Sequence, residues 1–304
     1  MEVGETVSLR VVTPAGPTEI VGVVLSRAPG LLVVRRRDGS VVDVETASIT
    51  AGRVVPPGPA RRIPVADLAA VAAAGWRAVE TEPLGRWLLR ASGGFTARAN
   101  SALAVGDPGR PLTQAVAAVE SWYAERALPP RLQLVGDDAE LAGLLRARGW
   151  RAGGVDDVMT AEIAHVLRPL AGGPDDATIA GAPGAEWLAA YRAASGPLPA
   201  VAAEVLANHP AVAFVSVAGY GAVARVAVDG RWAGLFAVEV APRLRRQGLG
   251  RTVSAAALRW ATAQGARHAY LQVADGNDAA RALYEGLGFA VHHHYTHWVA
   301  SAGE

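Results

Sequence analysis

The sequence predicts an α+β chain in which a small all-β leader precedes two copies of one mixed unit. Three observations predict it. Residues 5 to 55 alternate apolar and polar positions in short runs broken by Gly and Pro clusters, which is the period of strands. From residue 64 the pattern changes to alanine-rich helical segments interleaved with strands. Within that second stretch a spacing recurs: Leu132-Gln133 precedes Gly149-Trp150 by 17 positions, and Leu271-Gln272 precedes Gly288-Phe289 by the same 17, as an internal repeat should.

In the leader, Val7, Leu9 and Val11 alternate with polar residues, and Asp38-Gly39 separates the runs Leu31 to Arg37 and Val41 to Glu45. Asp-Gly is a two-residue hairpin signal because both turn positions take positive φ. Four or five strands in about 50 residues suggest a small closed barrel of the SH3-like type over residues 1–57. Arg35-Arg36-Arg37 beside the hairpin has two readings, an RNA contact and a solvated tip. Val54-Val55-Pro56-Pro57-Gly58-Pro59 then reads as a linker, since consecutive prolines supply no ladder donors.

The mixed units are expected over 64–166 and 175–304, joined near Arg168 to Asp176. Each has a strand that ends in a loop, Leu103 to Gly109 and Val238 to Pro242. An amphipathic helix with a tryptophan follows, Trp122 or Trp260, and then a strand, turn and short helix bracketed by the 17-residue spacing.

Composition narrows the chemistry. The 304 residues are 51% apolar and 19% charged, enough to bury a large core. Basic and acidic residues number 29 and 28, so no global field draws the chain to nucleic acid or an anionic membrane. There is no cysteine and every basic residue is arginine. A cysteine acyl-enzyme, a thiolate metal site and a lysine Schiff base are therefore excluded. The amino terminus lacks a secretory pattern and no apolar run reaches the roughly 18 residues of a membrane span. A cytoplasmic protein with neither membrane nor nucleic acid as partner is expected.

The most informative segment is Val240-Ala241-Pro242-Arg243-Leu244-Arg245-Arg246-Gln247-Gly248-Leu249-Gly250. An apolar strand, Leu235 to Val240, runs into it, and a helix leaves it with Leu249, Val253, Ala256 and Trp260 on one face. Glycines 248 and 250 let the backbone approach an anion, and the helix's first turn offers unpaired N–H groups at its positive end. Arg245 and Arg246 add charge-assisted bonds. Taken alone, the glycine pair also reads as a basic turn capping a helix.

The segment resembles the acyl-CoA-binding motif of the GNAT N-acetyltransferases: Arg or Gln, two residues, Gly, one residue, Gly or Ala, which Arg245 to Gly250 fits. The resemblance continues through Asn277 and Ala282-Leu283-Tyr284-Glu285-Gly286-Leu287-Gly288-Phe289, similar to the family's second signature, and covers residues 177 to 300. It implies a tandem GNAT (acyl-CoA N-acyltransferase) fold behind the SH3-like leader. It also implies acetyl-CoA as co-substrate and coenzyme contacts at Val238, Val240, Arg245, Arg246, Gln247, Gly248, Leu249, Gly250, Arg251 and Asn277.

Asn277 and Tyr284 are seven positions apart and share a helix face. Asn277 also reads as a helix cap and Tyr284 as core filling. In the family, the tyrosine at this place protonates the departing CoA thiolate. A phenol of pKa about 10 remains protonated at neutral pH while a thiol of pKa about 8.5 leaves. The N–H groups of Val238 to Val240 are expected to polarise the thioester carbonyl, as the corresponding strand does in the family. Without cysteine the transfer is direct, within a ternary complex, and the attacking amine needs a base. Glu239 is the carboxylate on that strand, although it should alternate away from Val238 and Val240, and a solvated face is the other reading.

Residues 64–166 resemble a degenerate GNAT unit. Its strand-to-helix loop is expected to be about five residues shorter, Gly106 to Pro111 lacks the arginine-glycine pattern, and Leu145 stands where the other unit has Tyr284. It should shape the acceptor pocket. On the run Gly93 to Ser101, read as a strand, Arg98 and Asn100 are the candidate acceptor contacts, with an ordinary exposed sheet face as the other reading. His292, His293, His294 and His297 on a final strand place no more than two rings on one face, so no metal is expected.

The preferred reading is an acetyl-CoA-dependent N-acetyltransferase acting on a small-molecule amine. The amine is expected to be an amino acid such as glutamate, by likeness to an actinobacterial N-acetylglutamate synthase-like group. A protein or ribosome-associated acetyltransferase and a non-catalytic acyl-CoA sensor are the alternatives.

Overall fold

The computed structural model describes residues 1, 5–13, 16–36, 40–54, 63–170, 176–191 and 197–301. The chain forms two compact units, Met1–Arg61 and Arg62–Glu304.

The first unit is one antiparallel sheet of β1 (Thr6–Thr13), β2 (Gly16–Ala28), β3 (Leu31–Arg36), β4 (Val41–Glu45) and β5 (Ile49–Val54) in the order β4-β3-β2-β1-β5. Alternation places Val7, Leu9, Val11, Ile20, Val24, Leu32, Val34 and Val44 in its core. Arg35 pairs with Val41 across the expected hairpin. The Asp38-Gly39 turn and the prolines of the linker lie outside the described residues.

The second unit begins with α1 (Val65–Gly75), β6 (Glu80–Leu84), β7 (Trp87–Ala91), β8 (Ala102–Ala104), α2 (Leu112–Ala124), β9 (Arg131–Val135), α3 (Ala139–Ala147), β10 (Arg151–Glu162) and α4 (Ile163–Leu167). It continues with β11 (Thr178–Ala180), α5 (Ala185–Ala190), α6 (Ala202–Ala207), β12 (Val212–Val217), β13 (Ala222–Asp229) and β14 (Trp232–Val240). The last elements are α7 (Leu249–Ala263), β15 (His268–Val273), α8 (Asp278–Glu285) and β16 (Ala290–Val299). Its strands make a single sheet in the order β11-β12-β13-β14-β15-β10-β16-β9-β8-β7-β6. Pairing is antiparallel except for β8–β9 and β14–β15. Val253, Ala256, Ala257 and Ala261 of α7 pack on one face of the second half, and α1, α5 and α6 bury Leu68, Trp76, Trp187 and Val205 on the other. The helices α2 and α3 cover β7–β9 through Val116, Val119, Leu141 and Leu145.

The repeat is visible in the register. A shift of 139 residues carries Leu132 onto Leu271 and Asp138 onto Asn277. Under that shift the pair Leu134–Thr296 becomes Val273–Asp157, and both pairs exist. Arg151–Val299 becomes Ala290–Thr160, which also exists, and Asp156–Tyr295 maps onto itself. The two copies therefore exchange their last strands: β10 of the first copy pairs with β15 of the second, and β16 pairs with β9.

Three local expectations are corrected. Gly93 to Ser101 is not a strand: left-handed φ at Gly93 (53°), Gly94 (82°) and Thr96 (61°) turns the chain into a loop with a 3-10 turn at Arg98–Asn100. The strand-to-helix loops span seven residues, 105–111, and eight, 241–248, rather than differing by about five. The missing length lies in the strand, three residues in β8 against nine in β14. On β16 a bulge at His292 interrupts the alternation, and the rings of His292 and His293 meet, Nδ1 to Nδ1 at 2.8 Å. No helix among the described residues is long and apolar enough to cross a membrane.

Candidate active site

The parallel strands β14 and β15 pair at Trp232–His268, Ala233–Ala269 and Gly234–Tyr270, and there the ladder stops. Beyond it the strands part around a cleft of about 470 Å³. Leu235 to Glu239 line one wall and Leu271 to Ala274 the other, while Asn277, Ala280 and Tyr284 come from α8. An edge of β14 thus faces a cavity where a neighbouring strand would otherwise take its hydrogen bonds.

A bulge sets which β14 side chains reach that cavity. Val223 pairs with Glu239 but Arg225 with Phe236, so two residues, Ala237 and Val238, oppose Ala224 alone. Ala237 has φ 50°, a left-handed value that costs an L-residue energy and persists only where surrounding structure fixes it. Val238 and Val240 consequently pack toward α7, whereas Phe236 and Ala237 pack with Trp76 and Tyr270 on the opposite face. Glu239, half-buried, lines the cleft.

The loop from 241 to 248 delivers the chain to α7 with left-handed φ at Arg246 (62°) and Gly248 (82°). Gly248 caps the helix without a side-chain bond. The N–H groups of the first turn have no carbonyl four residues back within the helix, and they present its positive end. A Cβ on Gly250 would come within 3.1 Å of Leu283, so glycine there lets α7 lie close against α8. Arg245 and Arg246 are exposed. Arg245 Nε donates to the Val240 carbonyl at 3.2 Å, and Gln247 Nε2 donates to Arg243 O at 3.4 Å. Arg251 Nη2 donates to Gly286 O at 3.1 Å, tying α7 to the turn after α8. Leu249 packs partly buried on the α7 cluster.

Asn277 caps α8, its Oδ1 accepting from Ala280 N at 3.2 Å, and it also lines the cleft. Tyr284 stands two turns along the same face, 6% exposed, its ring edge-on to Phe289. Burial pushes its phenol above the ordinary range. The nearby Ser254 hydroxyl opposes that shift and the Glu239 carboxylate adds to it. Ser254 Oγ is itself buried without a hydrogen bond of standard geometry. A phenol so held is a proton donor at every physiological pH.

From the first half, the loop after β7 brings Arg98 to the cleft, its guanidinium 5.5 Å from the ring centres of both Trp76 and Phe236. Arg98 Nε is buried without a partner. Asn100 is 4% exposed, and its amide holds the loop together: Oδ1 accepts from Ser92 N and Gly94 N, and Nδ2 donates to Phe95 O and Thr96 O. All its hydrogen-bonding capacity is engaged there, so it positions Arg98 rather than facing the cleft.

Sequence reasoning missed Trp76, Asp156, Tyr191 and Tyr295, which also line the cleft, and it weighed His297, another lining residue, only as a metal ligand. Asp156 and Tyr295 are the pair that the repeat maps onto itself, and Asp156 Oδ1 accepts from Asp275 N at 3.0 Å. His297 Nδ1 lies 3.9 Å from Asp156 Oδ2. Burial and the charges of Arg90, Arg98 and Arg131 hold its imidazole down to about 3, hence neutral. The 139-residue shift was the available signal, because it predicts where β10 and β16 cross. Among the described residues no group of three or more His, Asp or Glu is placed to hold a metal ion.

A family profile described as "Probable histone acetyltransferase Rv0428c C-terminal" matches residues 64–298. The "Probable histone acetyltransferase Rv0428c" of Mycobacterium tuberculosis (strain ATCC 25618 / H37Rv) is 33% identical over 301 residues, covering 96% of this chain and 93% of that one. Among solved structures, a GCN5-related N-acetyltransferase from Kribbella flavida superposes with TM-score 0.58 at 23% identity, over 80% of this chain and 98% of its own. A tandem GNAT protein from the clavulanic acid biosynthesis pathway gives TM-score 0.51 at 14% identity, over 82% and 91%. The shared fold is the mixed α/β GNAT fold, preceded here by the five-stranded antiparallel unit.

Proposed function

The chain belongs to the Rv0428c-like family of GNAT-type acetyltransferases, and from that premise we propose that it transfers the acetyl group of acetyl-CoA directly to a small primary amine in the cleft between β14 and β15. The carrying observation is that the strands part after Gly234–Tyr270 with Tyr284 on the wall of the opening. Acetyl-CoA supplies the acetyl group as a thioester. The residues present suit it: the N–H groups at the start of α7 with Arg245 and Arg246 receive the pyrophosphate, and the free β14 edge at Val238 to Val240 receives the pantetheine and polarises the thioester carbonyl.

An aliphatic ammonium must lose one proton before it attacks. Glu239 lines the cleft and takes that proton, directly or through a water. As the carbon–sulfur bond breaks, the Tyr284 phenol gives its proton to the departing sulfur, and the amine's second proton restores the phenol. Arg98, backed by the Trp76 and Phe236 rings, holds an acceptor carboxylate, which favours an amino acid such as glutamate and the N-acetylglutamate synthase-like grouping. The division into a barrel at 1–57, a silent unit at 64–166 and a catalytic unit at 175–304 belongs to this reading. The meander order β4-β3-β2-β1-β5 supports an SH3-like barrel.

The relative's printed name favours a second reading, a protein acceptor. Thiol release from acetyl-CoA, measured over free amino acids and over a lysine-rich histone-tail peptide, separates the two. Turnover with glutamate but not with the peptide is expected. Turnover with the peptide alone replaces the first reading with the second, and no turnover with any amine overturns both.

A further inference from the structure

A second cavity, of about 540 Å³, lies between α1 and the strands β7 and β8. Its α1 wall is Ala66, Ala70, Ala73 and Ala74, the face opposite Leu68, Ala72 and Trp76, which pack into the core. The walls also carry Arg77, Arg86 and Arg90 against one acid, Asp67. We propose that this cavity is a binding site for a small oxyanion, a carboxylate or phosphate group carried on a compact body that the alanine face accommodates.

Arg90 carries the inference. It is 1% exposed, and among the described residues its guanidinium donates only to neutral groups: Ser101 O at 2.8 Å, Ser101 Oγ at 3.0 Å and Gln133 Oε1 at 2.7 Å. Burial lowers its pKa to about 10, so it remains a cation at neutral pH. A buried cation without an anionic partner is costly, and an oxyanion in the adjoining cavity offsets that cost. Arg86, on the rim, makes no side-chain hydrogen bond or ion pair among the described residues, so its charge is available. Arg77 donates to Ala74 O at 3.2 Å and lies 4.0 Å from Asp229, leaving part of its fork toward the cavity. The size suits a small ligand with a few fixed polar contacts. None of the cavity's lining residues lines the acetyl-transfer cleft, so this is a separate site on the other side of α1.

The test is calorimetric titration of the full chain with inorganic phosphate and, separately, with succinate, against chloride at matched ionic strength. Acetyl-CoA is kept saturating so that the loop ahead of α7 is already filled. Binding of at least one oxyanion is expected, and which one gives heat identifies the preferred group. R86A removes an exposed charge and should weaken that binding at least tenfold. A70L fills the cavity from an exposed helix position and should abolish it, while both variants bind acetyl-CoA as the parent does. No heat with either anion, or equal affinity in the parent, R86A and A70L, overturns the proposal. Loss of acetyl-CoA binding in the parent would count against the acetyl-transfer reading instead, since the anion titration can be repeated without coenzyme.

Discussion

The two copies in the second unit share their plan and differ in how far two strands stay paired. In the first copy β8 and β9 are bonded at Ala102–Leu132, Leu103–Gln133 and Ala104–Leu134. Those β9 positions correspond to Leu271, Gln272 and Val273, where β15 has already left β14 and lines the cleft. The ladder of one copy occupies the place of the cavity in the other. What remains beyond it is a hollow of about 250 Å³ lined by Trp87, Leu134, Asp138 and Leu141. The loops differ likewise: Gly109 N donates to the Asp107 carboxylate at 2.8 Å in the first copy, a local acid standing where the second copy offers arginines and a helix start. On the proposed reading, a site of this kind needs an opened ladder as well as its particular side chains.

The largest expected effect follows from the pair Tyr284 and Leu145. Tyr284→Phe keeps the ring against Phe289 and removes the proton donor. Its kcat should fall by about 10² to 10⁴, the usual range for a general acid, with acetyl-CoA affinity unchanged. Because burial holds the phenol above its ordinary value, the parent should show no alkaline limb in kcat near the free phenol's pKa of about 10. A thiol-release assay across pH measures both; unchanged kcat in the variant would remove Tyr284 from the mechanism.

Next in size is the loop comparison. Arg246→Glu puts a negative charge beside the α7 start and should raise the acetyl-CoA Kd roughly ten- to a hundredfold, the scale of one or two charge-assisted bonds. Arg110→Glu, in the matching loop of the first copy, should leave the Kd unchanged. Equal losses would mean a general charge effect and no local pyrophosphate site.

The same comparison shows what the sequence could disclose. The strand, loop and helix around Gly248 are local, so composition and spacing over a dozen residues expose them. The caps at Asp138 and Asn277 and the loss of tyrosine at Leu145 follow from one shift of 139. The bulge at Ala237 left no sequence signature, and it decides which β14 side chains meet the cleft. Asp156, Tyr191 and His297 reach the site through strand exchange and long-range packing, which no local pattern encodes. At Asn100 polarity was legible but its use was not, since a satisfied buried amide and a ligand contact look alike in sequence.

Leu145→Tyr tests whether a tyrosine suffices. Leu145 is fully buried among Val116, Leu132 and Leu141, so the larger side chain overpacks and should destabilise the chain by about 1–3 kcal/mol in denaturant unfolding. Combined with Tyr284→Phe it should restore no acetyl transfer, because the β8–β9 ladder leaves the new phenol no thioester to meet. Recovery of activity would show that the paired strands are not the barrier.

The smallest effect separates capping from coenzyme contact. Asp138 Oδ1 accepts from Leu141 N at 2.9 Å, and Asn277 Oδ1 accepts from Ala280 N at 3.2 Å, the same cap in both copies. Replacing either by alanine should cost about 1 kcal/mol of stability. Asn277 additionally faces the cleft, where its Nδ2 makes no hydrogen bond among the described residues, whereas Asp138 lies at the residual hollow and does not line the cleft. N277A should therefore raise the KM for acetyl-CoA several-fold and D138A should not, with both losing similar stability. If the two variants match in KM as well as in stability, Asn277 is a helix cap and nothing more, and the coenzyme contacts end at the β14 edge and the loop before α7.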